Sequence, residues 1–205
     1  MILKAQDCVW NDVRQESPLI GLAHVLKSAA NTRALRIQEK PFLEFVNLRG
    51  DLRSTPFVST VQQTLAIALP SRPNTVTQGS THAALWLGPD EWLLQSAEPR
   101  NATVARTLRS SLASQFAAVV DVSSSYTVIE LSGDRARAVI QKGCPLDLHP
   151  RAFTVGQCAQ SHFFRAPVVL RPVAGDACEL VLRSSYADYA ARMVLDAAEE
   201  FRLQQ

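Results

Sequence analysis

Four side chains between positions 144 and 162 stand in the order Cys144-x4-His149-x8-Cys158-x3-His162. Thiolate and imidazole are the donors a tetrahedral zinc ion takes, so this set is the first place to look for a metal centre or a small zinc-bearing interaction module. The spacings are not those of a ribbon or a finger. Cys144 falls just after a helix C-terminus, while Cys158 and His162 fall on a predicted strand, so structural cysteines and surface histidines are expected. As a nucleophile Cys144 is badly placed, because the C-terminal end of a helix disfavours a thiolate. Ser123, Ser124 and Ser125 lack a Gly-x-Ser-x-Gly elbow and read as a turn. Trp86 and Trp92 flank Gly88-Pro89-Asp90-Glu91, which suits a packed hairpin better than a base- or ring-stacking platform. Arg135 and Arg137 read as a solvated helix face. Eight glycines, with neither Gly-x-Gly-x-x-Gly nor a Walker-type loop, give no support for phosphate binding. From spacing alone no catalytic, cofactor-binding or metal-binding residue is assigned.

The elements that would carry these side chains are best defined in residues 119–151. Val119, Val120 and Val122 alternate with Asp121 and Ser123, as a half-buried strand does. Tyr126 to Leu131 follow as a second strand. Ser132-Gly133-Asp134 can cap a helix carrying Ala136, Val139 and Ile140. Lys142 sits in its last turn, Gly143 is expected at positive φ after it, and Pro145 and Pro150 prevent further helix.

Upstream, Ser17-Pro18 opens a helix with Leu19, Leu22, Ala23, Val25 and Leu26. Strands are expected at 34–37 and 42–48 around Lys40-Pro41, and a helix at 57–69 stopped by Pro70. Residues 70–80 read as loop, and 83–87 with 92–95 as a hairpin. Asn101 caps a helix bearing Val104, Leu108, Leu112 and Phe116. Downstream come strands near 158–164, 167–172 and 177–183, the last two linked by Gly175-Asp176. A final helix begins at Ser185, with Asp188 completing a capping box and Tyr186, Tyr189, Met193, Val194, Ala197 and Phe201 as its buried face. The pattern predicts an α+β fold with an N-terminal arm (1–30) and two interlocked α+β subdomains (31–117 and 118–205) packed as one unit.

The chain has 205 residues, 47% of them hydrophobic, and a net charge of +2 from 21 basic and 19 acidic side chains. That is enough apolar material for a real core and no footprint for nucleic acid. Four cysteines (8, 144, 158 and 178) without a Cys-x-x-Cys pair suit a reducing cytoplasmic compartment. Met1 to Asp7 do not read as a signal peptide, and no apolar run approaches the roughly 18–20 residues of a membrane span.

Several strings resemble the gamma subunit of heterotetrameric sarcosine oxidase. They are Ser17-Pro18-Leu19, Leu48-Arg49-Gly50-Asp51, Leu69-Pro70 with Pro73-Asn74, and Trp86-Leu-Gly-Pro-Asp-Glu-Trp-Leu-Leu94. Further along are Val120-Asp-Val-Ser123, Gly143-Cys-Pro-Leu-Asp-Leu-His-Pro150 with Phe153, and Arg183-Ser-Ser-Tyr-Ala-Asp-Tyr189. The resemblance spans about residues 17–203. It implies the aminomethyltransferase/folate-binding-domain-like fold: antiparallel sheets with ferredoxin-like βαβ elements, packed by helices. It implies alpha, beta and delta partner subunits, with alpha in direct contact. It implies a complex that oxidatively demethylates sarcosine to glycine with O2 and tetrahydrofolate, giving H2O2 and 5,10-methylenetetrahydrofolate. FAD, FMN, NAD, tetrahydrofolate and zinc would sit on the other subunits. The alternative is a stand-alone folate-binding, aminomethyltransferase-like protein. Against it, Phe164-Arg-Ala-Pro-Val-Val-Leu170, similar in place to the carboxylate-bearing segment of those enzymes, carries no carboxylate to act as a base. Lys142-Gly143-Cys144 matches the iron–sulfur-assembly relatives, but the Pro-Leu-Asp-Leu that follows departs from them. The N-terminal arm and the Trp86–Trp92 hairpin are the docking elements this reading nominates.

Overall fold

The computed structural model describes residues 15–29, 32, 34–99, 103–173 and 176–202. Among the described residues, ten strands form two five-stranded antiparallel sheets. One sheet runs β1 (Arg36–Lys40), β7 (Tyr126–Ser132), β10 (Cys178–Arg183), β9 (Ala166–Pro172), β8 (Ala159–Phe163). The other runs β3 (Val76–Gln78), β4 (His82–Gly88), β5 (Glu91–Pro99), β2 (Leu43–Arg49), β6 (Ala118–Asp121). The helices are α1 (Ala23–Ala29), α2 (Thr55–Leu65), α3 (Thr103–Ser111), α4 (Ala136–Gln141) and α5 (Ala187–Arg202).

Strand alternation sorts the side chains into three cores. Ile129, Leu131, Leu170, Leu180 and Leu182 point from the first sheet onto Leu22 and Leu26, onto Val139 and Ile140 of α4, and onto Ala190 and Val194 of α5. Val46, Leu48, Trp92 and Leu94 point from the second sheet onto Phe57, Val61 and Leu65 of α2 and Val104 and Leu108 of α3. The opposite faces of both sheets meet in a middle layer built from Leu43, Phe45, Leu85, Leu93, Val128, Cys158 and Val181. The order is therefore helices, sheet, sheet, helices. The central strands β2, β5 and β10 are buried along most of their length, which is what burial from two sides demands.

The sheets exchange edge strands. β1 precedes the second sheet's strands in the chain, yet it pairs with β7 of the first, Ile37 opposite Leu131. β6 follows residue 117, yet it pairs with β2, Leu48 opposite Val119. At the far edge the sheets are laced by backbone hydrogen bonds from Val76 N–H to Gly156 and from Cys158 N–H to Asn74, at 2.8 and 3.0 Å.

Several local expectations change. The helix expected over 57–69 starts at Thr55, capped by Ser54, and ends at Leu65, because Ala66 turns left-handed (φ 56°). Ile67 and Leu69 are buried from irregular chain after the helix instead. The expected 70–80 loop contains β3. Helix α3 stops at Ser111, so Phe116 lies beyond it and is fully exposed rather than on its buried face; the Asn101 cap and Gly175 lie outside the described residues. Ser132-Gly133-Asp134 do not cap α4, whose N-cap is Arg135 without a side-chain bond. Gly143 is not at positive φ. A Cβ there would meet the Phe164 ring at 2.4 Å, so close packing is what calls for glycine. The last helix is preceded by a 3-10 turn at Ser184–Tyr186 in place of a capping box; Asp188 pairs with Arg192, and Tyr186 is exposed.

Candidate functional site

Polar side chains inside the middle layer are the most demanding feature of the fold, since a buried charge needs a partner. They form a row across four strands in exact register: Gln38 opposite Glu130, Glu130 opposite Glu179, and Glu179 opposite Arg171. Glu179 is wholly buried and Arg171 nearly so. One Glu179 oxygen accepts from Lys40 Nζ at 2.7 Å. The other accepts from Arg171 Nε at 2.7 Å and from Gln95 Nε2 at 2.9 Å. Lys40 also lies 3.5 Å from Glu130, which accepts from Gln38 Nε2 at 2.6 Å. Arg171 Nη1 reaches Gln78 Oε1 at 3.2 Å. Gln95 and Gln78 belong to the second sheet, so the row ties the two sheets together.

Two carboxylates face two cations, and the set is neutral. Burial alone would raise the Glu179 carboxyl. The charge of Arg171, with hydrogen bonds from Arg171 and Lys40, outweighs it and holds the group below its ordinary range. A general acid or base needs the opposite, a proton affinity near working pH and a free approach to substrate. The arrangement does structural work: it fixes register and closes the layer. A second buried carboxylate, Glu44, accepts from the N–H groups of Val104 and Ala105 at 2.8 and 3.2 Å and so seats the start of α3.

None of these residues was nominated from sequence. The available signal was a charge inside an otherwise apolar strand, as in Thr-Val-Ile-Glu-Leu at Glu130 and Cys-Glu-Leu-Val-Leu at Glu179; which strands lie side by side was not readable.

The residues that were nominated are scattered. Cys144 sits on the helix side of the first sheet, its Sγ 3.7 Å from Ser161 Oγ. Cys158 lies in the middle layer with its thiol toward the carbonyls of Thr75 and Trp86 (3.5 and 3.6 Å). His149 and His162 are exposed, in a loop and on β8. Among the described residues, no three His, Cys, Asp or Glu side chains are grouped to hold a metal. Burial pushes the Cys158 thiol up to about 11 and raises Cys178 as well, so neither is a thiolate. Ser123–Ser125 form a 3-10 turn, and Ser123 Oγ accepts from Phe45 N–H at 3.0 Å. Trp86 and Trp92 are directly opposite in the hairpin. Trp92 is fully buried against Phe57 and donates to Pro70 O at 2.9 Å, so it is core, while Trp86 is half-buried. Arg137 is not a solvated face: its Nη1 donates to the carbonyls of Leu148 and Phe153 at 2.6 and 3.0 Å, pinning the Pro-rich loop after α4. In the segment Phe164 to Leu170, Phe164 (φ 49°) turns the chain between β8 and β9, with its N–H on Gly143 O at 2.7 Å.

Two helix-covered antiparallel sheets with exchanged edge strands define the α+β fold of the aminomethyltransferase, folate-binding-domain type. The aminomethyltransferase T of the glycine cleavage system from Bartonella henselae shares it, with TM-score 0.58 and 13% identity, over 85% of this chain and 48% of that one. Within that class the match is narrower. A model of the family described as sarcosine oxidase, gamma subunit, covers residues 49–200. The sarcosine oxidase subunit gamma of Corynebacterium sp. (strain U-96) is 32% identical over 91% of both chains, and that of an Arthrobacter species is 30% identical over the same shares. A chain of the heterotetrameric sarcosine oxidase from Corynebacterium sp. U-96 superposes with TM-score 0.84 at 31% identity, covering 92% of this chain and 96% of that chain. The chain belongs to the sarcosine oxidase gamma subunit family.

Proposed function

We propose that this chain is a non-catalytic subunit of a heterotetrameric sarcosine oxidase, and that its work is assembly and support of the catalytic chains. The observation that carries this is its end-to-end likeness to one chain of such a heterotetramer, at 92% and 96% coverage. The neutral charge row supports it, because its buried ionisable groups are paired with one another and hold the sheets together. In this reading the complex oxidises sarcosine to glycine with O2 and tetrahydrofolate, giving H2O2 and 5,10-methylenetetrahydrofolate. FAD, FMN, NAD, tetrahydrofolate and zinc belong to the alpha, beta and delta subunits, alpha being the direct neighbour. The three free cysteines among the described residues are buried and suit a reducing cytoplasm. Among those residues no helix is long and apolar enough to cross a membrane. The relatives are named as subunits, so the stand-alone aminomethyltransferase-like reading gives way.

The test is a pull-down of the tagged full chain from its native cells, with an absorption spectrum of the eluate. Three further chains in equal amounts with flavin bands are expected. A colourless chain without partners would overturn the proposal.

A further inference from the structure

The second sheet's helical layer has an unusual charge pattern. Between Leu52 and Pro89, and again between Pro99 and Val120, the sequence contains no Asp or Glu. Helix α2 carries no charge of either sign. Helix α3 carries Arg106 and Arg109, one turn apart and both exposed. Neither is in an ion pair among the described residues. Arg109 instead donates from Nε to Val119 O at 2.9 Å, covering the open edge of β6. The helical layer on the other side is different. There Arg192 pairs with Asp188 and Lys142 with Glu200, and Asp196 and Glu199 add exposed acidic charge.

Beside these cations the surface is apolar. Phe116, five residues past α3, is fully exposed, and Val120 on β6 is 48% exposed. Phe116 stands at a groove of about 740 Å³ whose walls include Leu52, Pro89, Ala117 and Ala118. Along that groove Arg53 is matched with Asp51 and Arg49 with Glu91, and Asp90 is exposed among its lining residues. An exposed phenylalanine beside an apolar groove, with unmatched arginines to one side, is the make-up of a binding core with a charged rim.

We infer that the surface formed by α3 and Phe116 docks a partner subunit that presents an apolar seat for Phe116 and carboxylates facing Arg106 and Arg109. The occupant follows from the charge: helix α3 carries two cations outside any ion pair among the described residues and no acid, so it attracts an acidic partner, and a second copy of the same cationic helix would repel. The inference rests on the subunit reading above and adds to it where the contact lies.

The test is reconstitution of the full chain with its co-expressed partner chains. Three versions are compared: wild type, Arg106→Glu with Arg109→Glu, and Phe116→Ser. A reversal on the other helical layer, Glu199→Arg, is the control, and unchanged circular dichroism shows that each variant folds. The double reversal is expected to weaken assembly on the order of tenfold or more, with wild-type affinity falling as salt rises. Phe116→Ser is expected to weaken it roughly 30-fold, as loss of a central aromatic anchor does. The control is expected to assemble normally. If wild type and all variants assemble alike, this surface is wrong while the subunit reading stands. If wild type fails to assemble at all, the subunit reading falls and this inference with it. If the variants instead abolish self-association of the isolated chain, the occupant is a second copy and the inference is overturned.

Discussion

Glu179 shows at the scale of one residue how a potentially reactive group is turned to structure. Its carboxylate receives Lys40, Arg171 and Gln95, and Arg171 itself is only 6% exposed. Glu179→Gln leaves two cations without their anion, and we expect a loss of about 3–5 kcal/mol in urea-melt stability. The sign with pH follows from the lowered native pKa. The unfolded group titrates near 4.5 and the folded one below it. Its stabilisation is therefore complete above about pH 4.5 and is lost as pH falls through the native value. The difference between wild type and Glu179→Gln should shrink over that acid range, and a constant difference would show that the charge is not what matters. Gly143 makes a steric counterpart. Its added Cβ would sit 2.4 Å from the Phe164 ring and 2.9 Å from that of Phe163, so Gly143→Ala is expected to cost about 1–3 kcal/mol. A neutral result would mean that the two rings have room to move. Cysteine chemistry is predicted to be quiet: a thiol reagent at pH 8 should leave Cys158 unlabelled in the folded protein and label it in denaturant, since its thiol is buried and held near 11.

Elements were legible wherever period and punctuation agreed. The strand at Tyr126 to Leu131, the hairpin on Gly88-Pro89, and the terminal helix with Val194 and Ala197 on its buried side all follow from local pattern. Ends were less legible. Nothing local announces that Ala66 will turn left-handed, or that Val76–Gln78 will find Ala83–Leu85 as a partner. Pairing across distance was not legible at all. The exchange of β1 and β6 between sheets depends on long-range contacts, and so does the alignment of Gln38, Glu130, Glu179 and Arg171. For the same reason the candidate site could not be read. The sequence nominated cysteines and histidines by their chemistry, while the folded chain separates them and gathers charges from distant strands. The exchange makes a prediction of its own. Fragments 1–117 and 118–205 each lack an edge strand of their larger sheet, so each alone should show weak, non-cooperative melting, and mixing them should restore one cooperative transition. Independent two-state folding of either fragment would contradict this.

At the scale of the whole molecule the features point outward. The charges of the inter-sheet row are paired with one another, while Arg106 and Arg109 on α3 and the exposed Phe116 face outward. Kinship by fold alone would leave function open; here it is joined by a match along nearly the whole of a known oxidase subunit. The central claim is that this chain works as a subunit without a reaction of its own. It is tested most directly by native mass spectrometry of the assembly isolated through this chain, followed by separation of the subunits and a flavin spectrum of each. The account predicts one assembly containing this chain and three different partners, with this chain released free of flavin. A lone chain, or a homo-oligomer that carries flavin or converts folate by itself, would contradict it.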